Sequence, residues 1–158
     1  MLSEIALQLD AWVIEQNVAF RAAGTPSYRP CEIRIIGQTA LLESGLPLVL
    51  VATKDVDARG TYEYGVEAEF RRMLELRGRA LDAVAQEAWM PRETRYAALY
   101  SGKLVTLLLA EPEAVLVSKA LKAPVKNRPL LIDYLASGPS RRFFELVERY
   151  AVNLEQFT

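Results

Sequence analysis

The stretch CEIRIIGQTALLESGLPLVLVATKDVDARG, residues 31–60, decides the fold of this chain. Ile33 and Ile35 alternate with charged residues, which is typical of a strand with one buried face. Gly37 ends that strand, and a short helix follows it. Pro47 then opens a second apolar segment, which predicts another strand running to about residue 58. The stretch therefore predicts a strand–glycine–helix–strand unit.

Outside this unit, the hydrophobic pattern predicts helices at both ends of the chain and a hairpin between them. The remaining predicted elements are a helix over about 3–22, a helix over 66–78, a hairpin with its turn at Ser101–Gly102, a helix from Glu111 to about residue 122, and two C-terminal helices over about 130–137 and 140–155. Strands come early and helices late, so we expect an α+β fold with a mixed β-sheet flanked by helices and a C-terminal helical tail. We expect a single domain over 1–158, with an αβ core over about 1–110 and C-terminal helices over about 111–158 packed on it.

Composition excludes several classes of function. The chain has no histidine, which rules out Ser–His or Cys–His nucleophiles and histidine-ligated zinc. Its 19 basic and 20 acidic residues nearly balance, so no global charge draws it to nucleic acid or membrane. Cys31 is the single cysteine, so an intrachain disulfide cannot form, and we expect a cytoplasmic protein that does not bind membranes.

Two carboxylates, Asp55 and Asp57, follow the apolar segment at a spacing of two. Side chains at i and i+2 of a strand share a face, so both would project together while Val56 points to the core. Two like charges that close raise each other's pKa unless a cation lies between them. The pattern is compatible with a solvated turn or with a site for Mg²⁺, which binds one or two carboxylates and completes its shell with water and phosphate oxygens.

A glycine between a strand and a helix can let a phosphate approach the backbone. Gly37 occupies that position, and Gln38 and Thr39 could add side-chain donors at the helix start. Lys119 and Lys122 are spaced i,i+3 on a predicted helix and could present two positive charges to a polyanion, or could form a solvated face.

These motifs resemble those of the nucleotidyltransferase superfamily. The matching residues are IIGQTALL (35–42), ATKDVDA (52–58) and PEAVLVSKALKAPVKNRPLLIDYLA (112–136). The closest resemblance is to the small bacterial branch that includes abortive-infection nucleotidyltransferases and the toxins of type IV toxin–antitoxin systems. The resemblance implies Mg²⁺- or Mn²⁺-dependent transfer of a nucleotidyl group from a nucleoside triphosphate to a hydroxyl of RNA or protein, with a cognate antitoxin-like protein as a possible partner.

The resemblance also implies roles for individual residues. Asp55 and Asp57 would be the catalytic metal ligands, and Gly37 the point where the backbone approaches the phosphates. Lys119 would point toward the triphosphate. The remaining residues implied to contact or orient the nucleotide are Gln38, Thr39, Thr53, Lys122 and Asp133.

Departures from the family pattern keep a second hypothesis open. The family usually has a small residue where Gln38 stands, and its third carboxylate usually lies within a later strand. The segment KLVTLLLA (103–110) contains no acid, and Glu111, just after it, could equally cap the next helix. The alternative is a catalytically inactive binding or regulatory module on the same fold.

Other features have two interpretations each. The arginines of RRMLELRGR (71–79) could meet RNA or a partner, or form a solvated face. Tyr62, Tyr64, Trp89 and Tyr96 could stack a base or pack at the rim of the core. The apolar face of the last helix would form a homodimer surface if the fold covered only half of it.

Overall fold

A mixed sheet of four strands lies at the centre of the fold in the computed structural model, which describes the backbone of residues 1–158 and every side chain except that of Ala83. The helices are α1 (Leu2–Ala22), α2 (Gly37–Glu43), α3 (Tyr64–Glu75), α4 (Pro112–Lys122), α5 (Arg128–Ala136) and α6 (Arg141–Arg149), with 3₁₀ helices at Ala83–Glu87 and Leu154–Phe157. The strands are β1 (Cys31–Ile35), β2 (Asp55–Val56), β3 (Ala58–Gly60), β4 (Ala80–Leu81), β5 (Tyr96–Ser101) and β6 (Val105–Ala110). This architecture confirms the predicted α+β class and the C-terminal helices.

The sheet has the strand order β3-β1-β6-β5. β1 runs antiparallel to β3 and parallel to β6, while β5 and β6 form the predicted hairpin. Cys31, Ile33 and Ile35 are buried on one face of β1, and Arg34 is exposed on the other, which is the alternation that the sequence predicts. A separate parallel pair, β2 with β4, lies outside this sheet and positions the candidate site.

Helices cover the buried face of the sheet and build the C-terminal part. α1 packs against β5, β6 and α3, while α4 packs against α2, α5 and α6. Pro112 occupies the first turn of α4, where its missing N–H costs nothing, and the Ser140 hydroxyl caps α6 by accepting from the Phe143 N–H at 3.3 Å. Buried side chains from residue 2 to residue 157 belong to one hydrophobic cluster, so the C-terminal helices share the core of the αβ part.

The predicted strand over residues 48–58 is wrong for most of its length. β2 and β3 cover only its last residues, and the structure assigns no strand or helix over 49–53. Val49 and Val51 are 93% and 81% exposed. A β-branched apolar run forms a strand only where a neighbouring strand pairs with it, and the short β4 pairs only with Asp55–Val56.

The last predicted helix, over 140–155, ends earlier than expected. α6 stops at Arg149, and Ala151 adopts a left-handed conformation with φ +52°. The turn allows the Val152 N–H to donate to the Val147 carbonyl at 3.0 Å and brings Val152 and Phe157 into the core. Burial of these two side chains favours the turn over a longer helix.

Candidate functional site

The parallel pair of β2 and β4 brings Asp57 and Asp82 together. Asp55 lies opposite Ala80, and Val56 lies opposite Leu81. The Asp82 N–H donates to the Val56 carbonyl at 2.9 Å. Continuing this register by one residue places Asp57 beside Asp82, at the carboxyl ends of both strands, where functional groups of parallel strands commonly collect.

Asp57 is a partly buried carboxylate that forms no ion pair among the side chains that the structure describes. Within the described part of the chain, its hydrogen-bond donor is the Gln38 N–H, at 3.1 Å from Oδ2. Burial, a side-chain hydrogen bond with Asp82 and the charge of Asp82 raise the pKa of Asp57 to about 6, against the opposing effect of Lys119. Two carboxylates held together in this way favour a proton or a cation between them.

Asp55 lines the same cavity as Asp57 and Asp82, but from a more exposed position. Val56, between the two aspartates, is fully buried, as the sequence predicts. The carboxylate that raises the pKa of Asp57 is nevertheless Asp82, which the sequence-based prediction did not include.

Gly37 makes room for Asp57. It has φ +61°, and a Cβ built on it would lie 2.8 Å from the Asp57 Cγ atom. Any larger residue would push the carboxylate away from the start of α2. The space nearest the absent side chain is therefore occupied by an acidic side chain of the protein itself. Gly37 nevertheless lines the same cavity as Asp57, and the approach of a phosphate to its backbone stays a prediction.

Three polar residues that we expected to contact a nucleotide form hydrogen bonds with the backbone of residues 51–57. The Thr39 hydroxyl, in a residue only 1% exposed, donates to the Asp55 carbonyl and accepts from the Asp57 N–H, both at 3.2 Å. Gln38 Nε2 donates to the Val51 carbonyl at 3.0 Å, and the Thr53 hydroxyl accepts from the Asp55 N–H at 3.2 Å. Gln38 and Thr53 line the cavity, whereas Thr39 is buried behind the segment and does not line it. The nucleotide contacts expected of these residues stay predictions.

Lysines line the cavity together with the carboxylates. Lys119 and Lys122 come from α4, as predicted, and Lys126 comes from the loop after it. Burial lowers the pKa of Lys119, and the charges of Lys126 and Lys122 lower it further, while Asp57 opposes them. Among the side chains that the structure describes, these lysines form no ion pair with an acidic group. Their charges are therefore available to an anionic ligand.

Asp133 lies apart from the acidic cluster. It is exposed and lines a neighbouring cavity of about 520 Å³, which it shares with Lys119 and Lys126. The expected orienting role toward the lysines therefore stays a prediction, with Asp133 in the adjoining cavity.

The cavity that the acids and lysines line has a volume of about 470 Å³, within the usual range for small-molecule sites. Its walls beyond the charged groups are largely apolar. The apolar lining residues are Ile36, Val84, Ala85, Ala88, Trp89, Met90, Val115 and Ala123. The cavity thus combines an acidic side, a basic side and an apolar side.

The Asp57–Asp82 contact is the feature that fits a divalent cation. Among the residues that the structure describes, no group of three acidic, histidine or cysteine side chains is arranged to hold one metal ion. Glu111, considered above as a third carboxylate, instead pairs with Arg142 at 2.7 Å. Two carboxylates are enough for Mg²⁺ when water and phosphate oxygens complete its shell, so the acidic pair fits a magnesium–phosphate complex better than a metal bound by protein alone.

Comparison with family models, with curated proteins and with solved structures finds no match for this chain. The nucleotidyltransferase resemblance therefore stays a prediction based on the residues.

Within the described part of the chain, no helix has the length and apolar character that crossing a membrane requires.

Proposed function

We propose that this protein binds a nucleoside triphosphate with Mg²⁺ and transfers its nucleotidyl group to a hydroxyl. One observation carries the proposal: the Asp57–Asp82 pair and three lysines without acidic partners among the described side chains line one cavity. A magnesium–triphosphate complex presents a cation to the acids and phosphate oxygens to the lysines. The two sides of the cavity thereby complement the two parts of one ligand.

Asp57 and Asp82 would hold Mg²⁺, or Mn²⁺ in its place, with Asp55 as a further carboxylate within the same cavity. The metal, when bound, neutralises phosphate charge and polarises the phosphorus for attack. Lys119, Lys122 and Lys126 would bind the remaining phosphate oxygens. Lys119 is half-buried, so its charge acts through a lower dielectric than that of an exposed lysine.

In the proposed reaction, the acceptor hydroxyl oxygen bonds to the α-phosphorus. The bond from that phosphorus to the bridging oxygen of the β-phosphate breaks, and pyrophosphate leaves with the electron pair. The hydroxyl proton passes to a carboxylate of the site or to water. Positioning and charge neutralisation supply the rate enhancement, as in other phosphoryl transfers.

The acceptor and the cellular setting follow the resemblance described above. We propose RNA or protein as the source of the acceptor hydroxyl, a cytoplasmic location, and a role in a toxin–antitoxin or phage-defence system with an antitoxin-like partner. A homodimer fits the same proposal, since Phe144 on α6 is 44% exposed.

A catalytically inactive binding module is the second candidate. The Asp57 carboxylate accepts the Gln38 N–H at the start of α2, where a phosphate would be cradled. The absence of a three-residue metal group among the described side chains also favours it. Such a module would bind the nucleotide and transfer nothing.

The test is transfer of label from α-labelled nucleoside triphosphates to total RNA or to protein, with Mg²⁺ or Mn²⁺. The variants are Asp57→Ala and a matched control, Glu75→Gln, in an exposed acid away from the cavity. The proposal predicts transfer by wild type and the control, and none by Asp57→Ala. Calorimetric binding without transfer would favour the inactive module, and the absence of both binding and transfer would overturn both candidates.

A further inference from the structure

The apolar side of the cavity that the acids and lysines line has no role in the chemistry proposed above. Trp89 lines it and remains 40% exposed, although it is a large aromatic residue. The Trp89 carbonyl accepts from the Ser118 hydroxyl at 2.8 Å, and its ring meets Tyr150 edge to face at 5.4 Å. The backbone contact ties Trp89 to the residue before Lys119. Trp89 is therefore a partly exposed aromatic residue, held by its backbone and packed against Tyr150, that lines the same cavity as the lysines.

Most polar groups around this apolar side already form hydrogen bonds within the protein. The Ser118 hydroxyl is used by Trp89, and the Asn127 amide donates to the Lys119 and Ala123 carbonyls at 3.2 and 3.0 Å. Glu87 is different: among the side chains that the structure describes, it has neither a hydrogen bond nor an ion pair. Its exposed carboxylate lines the cavity and can only accept hydrogen bonds.

Glu87 and Asp82 stand at opposite ends of one short element. Asp82 caps the 3₁₀ helix Ala83–Glu87 by accepting from the Val84 N–H at 2.9 Å, and Glu87 is the last residue of that helix. At a rise of about 2 Å per residue, the two acids are on the order of 10 Å apart along the helix. That separation is comparable with the reach of a nucleotide from its phosphates to the far edge of its base.

We infer that the apolar side is a nucleobase site in which Trp89 stacks on the base and Glu87 accepts a hydrogen bond from an exocyclic amino group. The inference rests on the proposed function, because the phosphates must occupy the acidic and basic sides. A carboxylate repels a phosphate or a base carbonyl and attracts an amino group. The site would therefore select amino-bearing bases such as cytosine and adenine over uracil and hypoxanthine.

Two pairs of nucleotides exchange the amino group for a carbonyl. CTP and UTP differ at position 4 of the base, and ATP and ITP differ at position 6; in UTP and ITP the ring nitrogen beside the carbonyl also carries a hydrogen. A hydrogen bond to a charged acceptor corresponds to about a tenfold change in affinity. We therefore expect CTP to bind about tenfold more tightly than UTP, and ATP about tenfold more tightly than ITP. Stacking on Trp89 predicts about a tenfold loss for every nucleotide in Trp89→Ala.

The experiment is isothermal titration calorimetry in the presence of Mg²⁺ with these four nucleotides and with tripolyphosphate. The proteins are wild type, Glu87→Gln, Trp89→Ala, Trp89→Phe and the control Glu75→Gln. Glu87→Gln should reduce both affinity ratios to about one, because an amide can donate to a carbonyl as well as accept from an amino group. Trp89→Phe keeps an aromatic ring and should stay within about threefold of wild type, which separates stacking from loss of folding.

Each outcome decides between the base site and the wider proposal. Amino-dependent ratios that are lost in Glu87→Gln, together with weaker binding in Trp89→Ala, support the inference. Equal binding of all four nucleotides, or unchanged binding in Trp89→Ala, overturns the base site and leaves the proposed function intact. Failure of both tripolyphosphate and the nucleotides to bind overturns the inference and the proposed function together.

Discussion

Asp10 is buried, Asp57 is partly buried, and both lie against a glycine, but the protein surrounds their charges in opposite ways. Asp10 is 5% exposed and accepts from the Leu104 and Val105 N–H groups at 2.8 and 3.0 Å. The Lys103 N–H and the Tyr100 hydroxyl donate to its other oxygen at 3.2 and 3.0 Å. Burial raises the pKa of Asp10, but these donors outweigh burial, and the pKa is lowered.

Asp57 has the reverse arrangement. Its carboxylate accepts the Gln38 N–H and faces a second carboxylate, so burial and Asp82 raise its pKa to about 6. Asp10 is therefore a structural carboxylate that holds the β5–β6 turn to α1. Asp57 costs stability when it is ionised, and perturbed groups of this kind collect at functional sites. The contrast separates a carboxylate that serves the fold from one that serves a ligand.

The largest expected effect on the free energy of unfolding is at Asp10. Asp10→Asn replaces an acceptor oxygen by an NH₂ group that faces donors, so we expect a loss of about 3 kcal/mol in the free energy of unfolding. Urea denaturation monitored by circular dichroism measures the change. A loss below about 1 kcal/mol would contradict a structural role for the four hydrogen bonds.

A somewhat smaller effect is expected where Asp57 meets α2. Gly37→Ala must accept a left-handed conformation and displace the Asp57 carboxylate, which together should cost about 2 kcal/mol. Gly78→Ala is the matched control, because Gly78 has φ +71° and no atom lies within 4 Å of the position that a Cβ would take there. It should cost about 1 kcal/mol for the conformation alone.

The difference between these two glycine variants isolates the contact with Asp57. In an Asp57→Ala background, we expect Gly37→Ala to cost no more than Gly78→Ala. Equal costs of the two glycine substitutions in the wild-type background would show that Asp57 does not press against α2.

The smallest expected change has the opposite sign. Asp57→Asn removes a charge that the metal-free fold disfavours, so we expect it to stabilise the protein at pH 7.5 by on the order of 1 kcal/mol, since water in the open cavity screens the charges. The same substitution thus destabilises the protein at residue 10 and stabilises it at residue 57. Denaturation in the presence of EDTA measures the difference.

The pH dependence follows from the raised pKa of Asp57. The folded state holds the Asp57 proton more tightly than the unfolded chain, so the stability that protonation provides is fully present below about pH 4 and is lost as the pH rises through about 6. The advantage of Asp57→Asn over wild type should grow across that interval. A stability advantage that shrinks as the pH rises would contradict the claim that the folded state disfavours the ionised form of Asp57.

Local sequence pattern predicted most of the helices and the β5–β6 hairpin, because their apolar residues recur with a regular period. It failed over residues 48–54, where β-branched residues indicated a strand. Strand formation there depends on a partner strand, and the partner available, β4, is two residues long. Such a short partner leaves no hydrophobic repeat of its own in the sequence.

The sequence likewise indicated only those residues of the candidate site that lie on elements with a clear local pattern. Asp57 and Lys119 follow clear local elements, and the structure places them in one cavity. Asp82 was missed because its position depends on a parallel register between segments 25 residues apart. The segment RALDAV (79–84) carries a weak signal, because Leu81 is followed by Asp-Ala just as Val56 is.

The most direct test of the account is whether Mg²⁺ needs Asp82. Thermal unfolding of wild type, Asp82→Asn and the control Glu75→Gln would be measured with tripolyphosphate, with and without Mg²⁺. Asparagine preserves the cap on the 3₁₀ helix while removing the charge. We predict that Mg²⁺ raises the melting temperature of wild type and the control, and leaves that of Asp82→Asn unchanged. An equal rise in Asp82→Asn would contradict the claim that Asp57 and Asp82 together form a cation site.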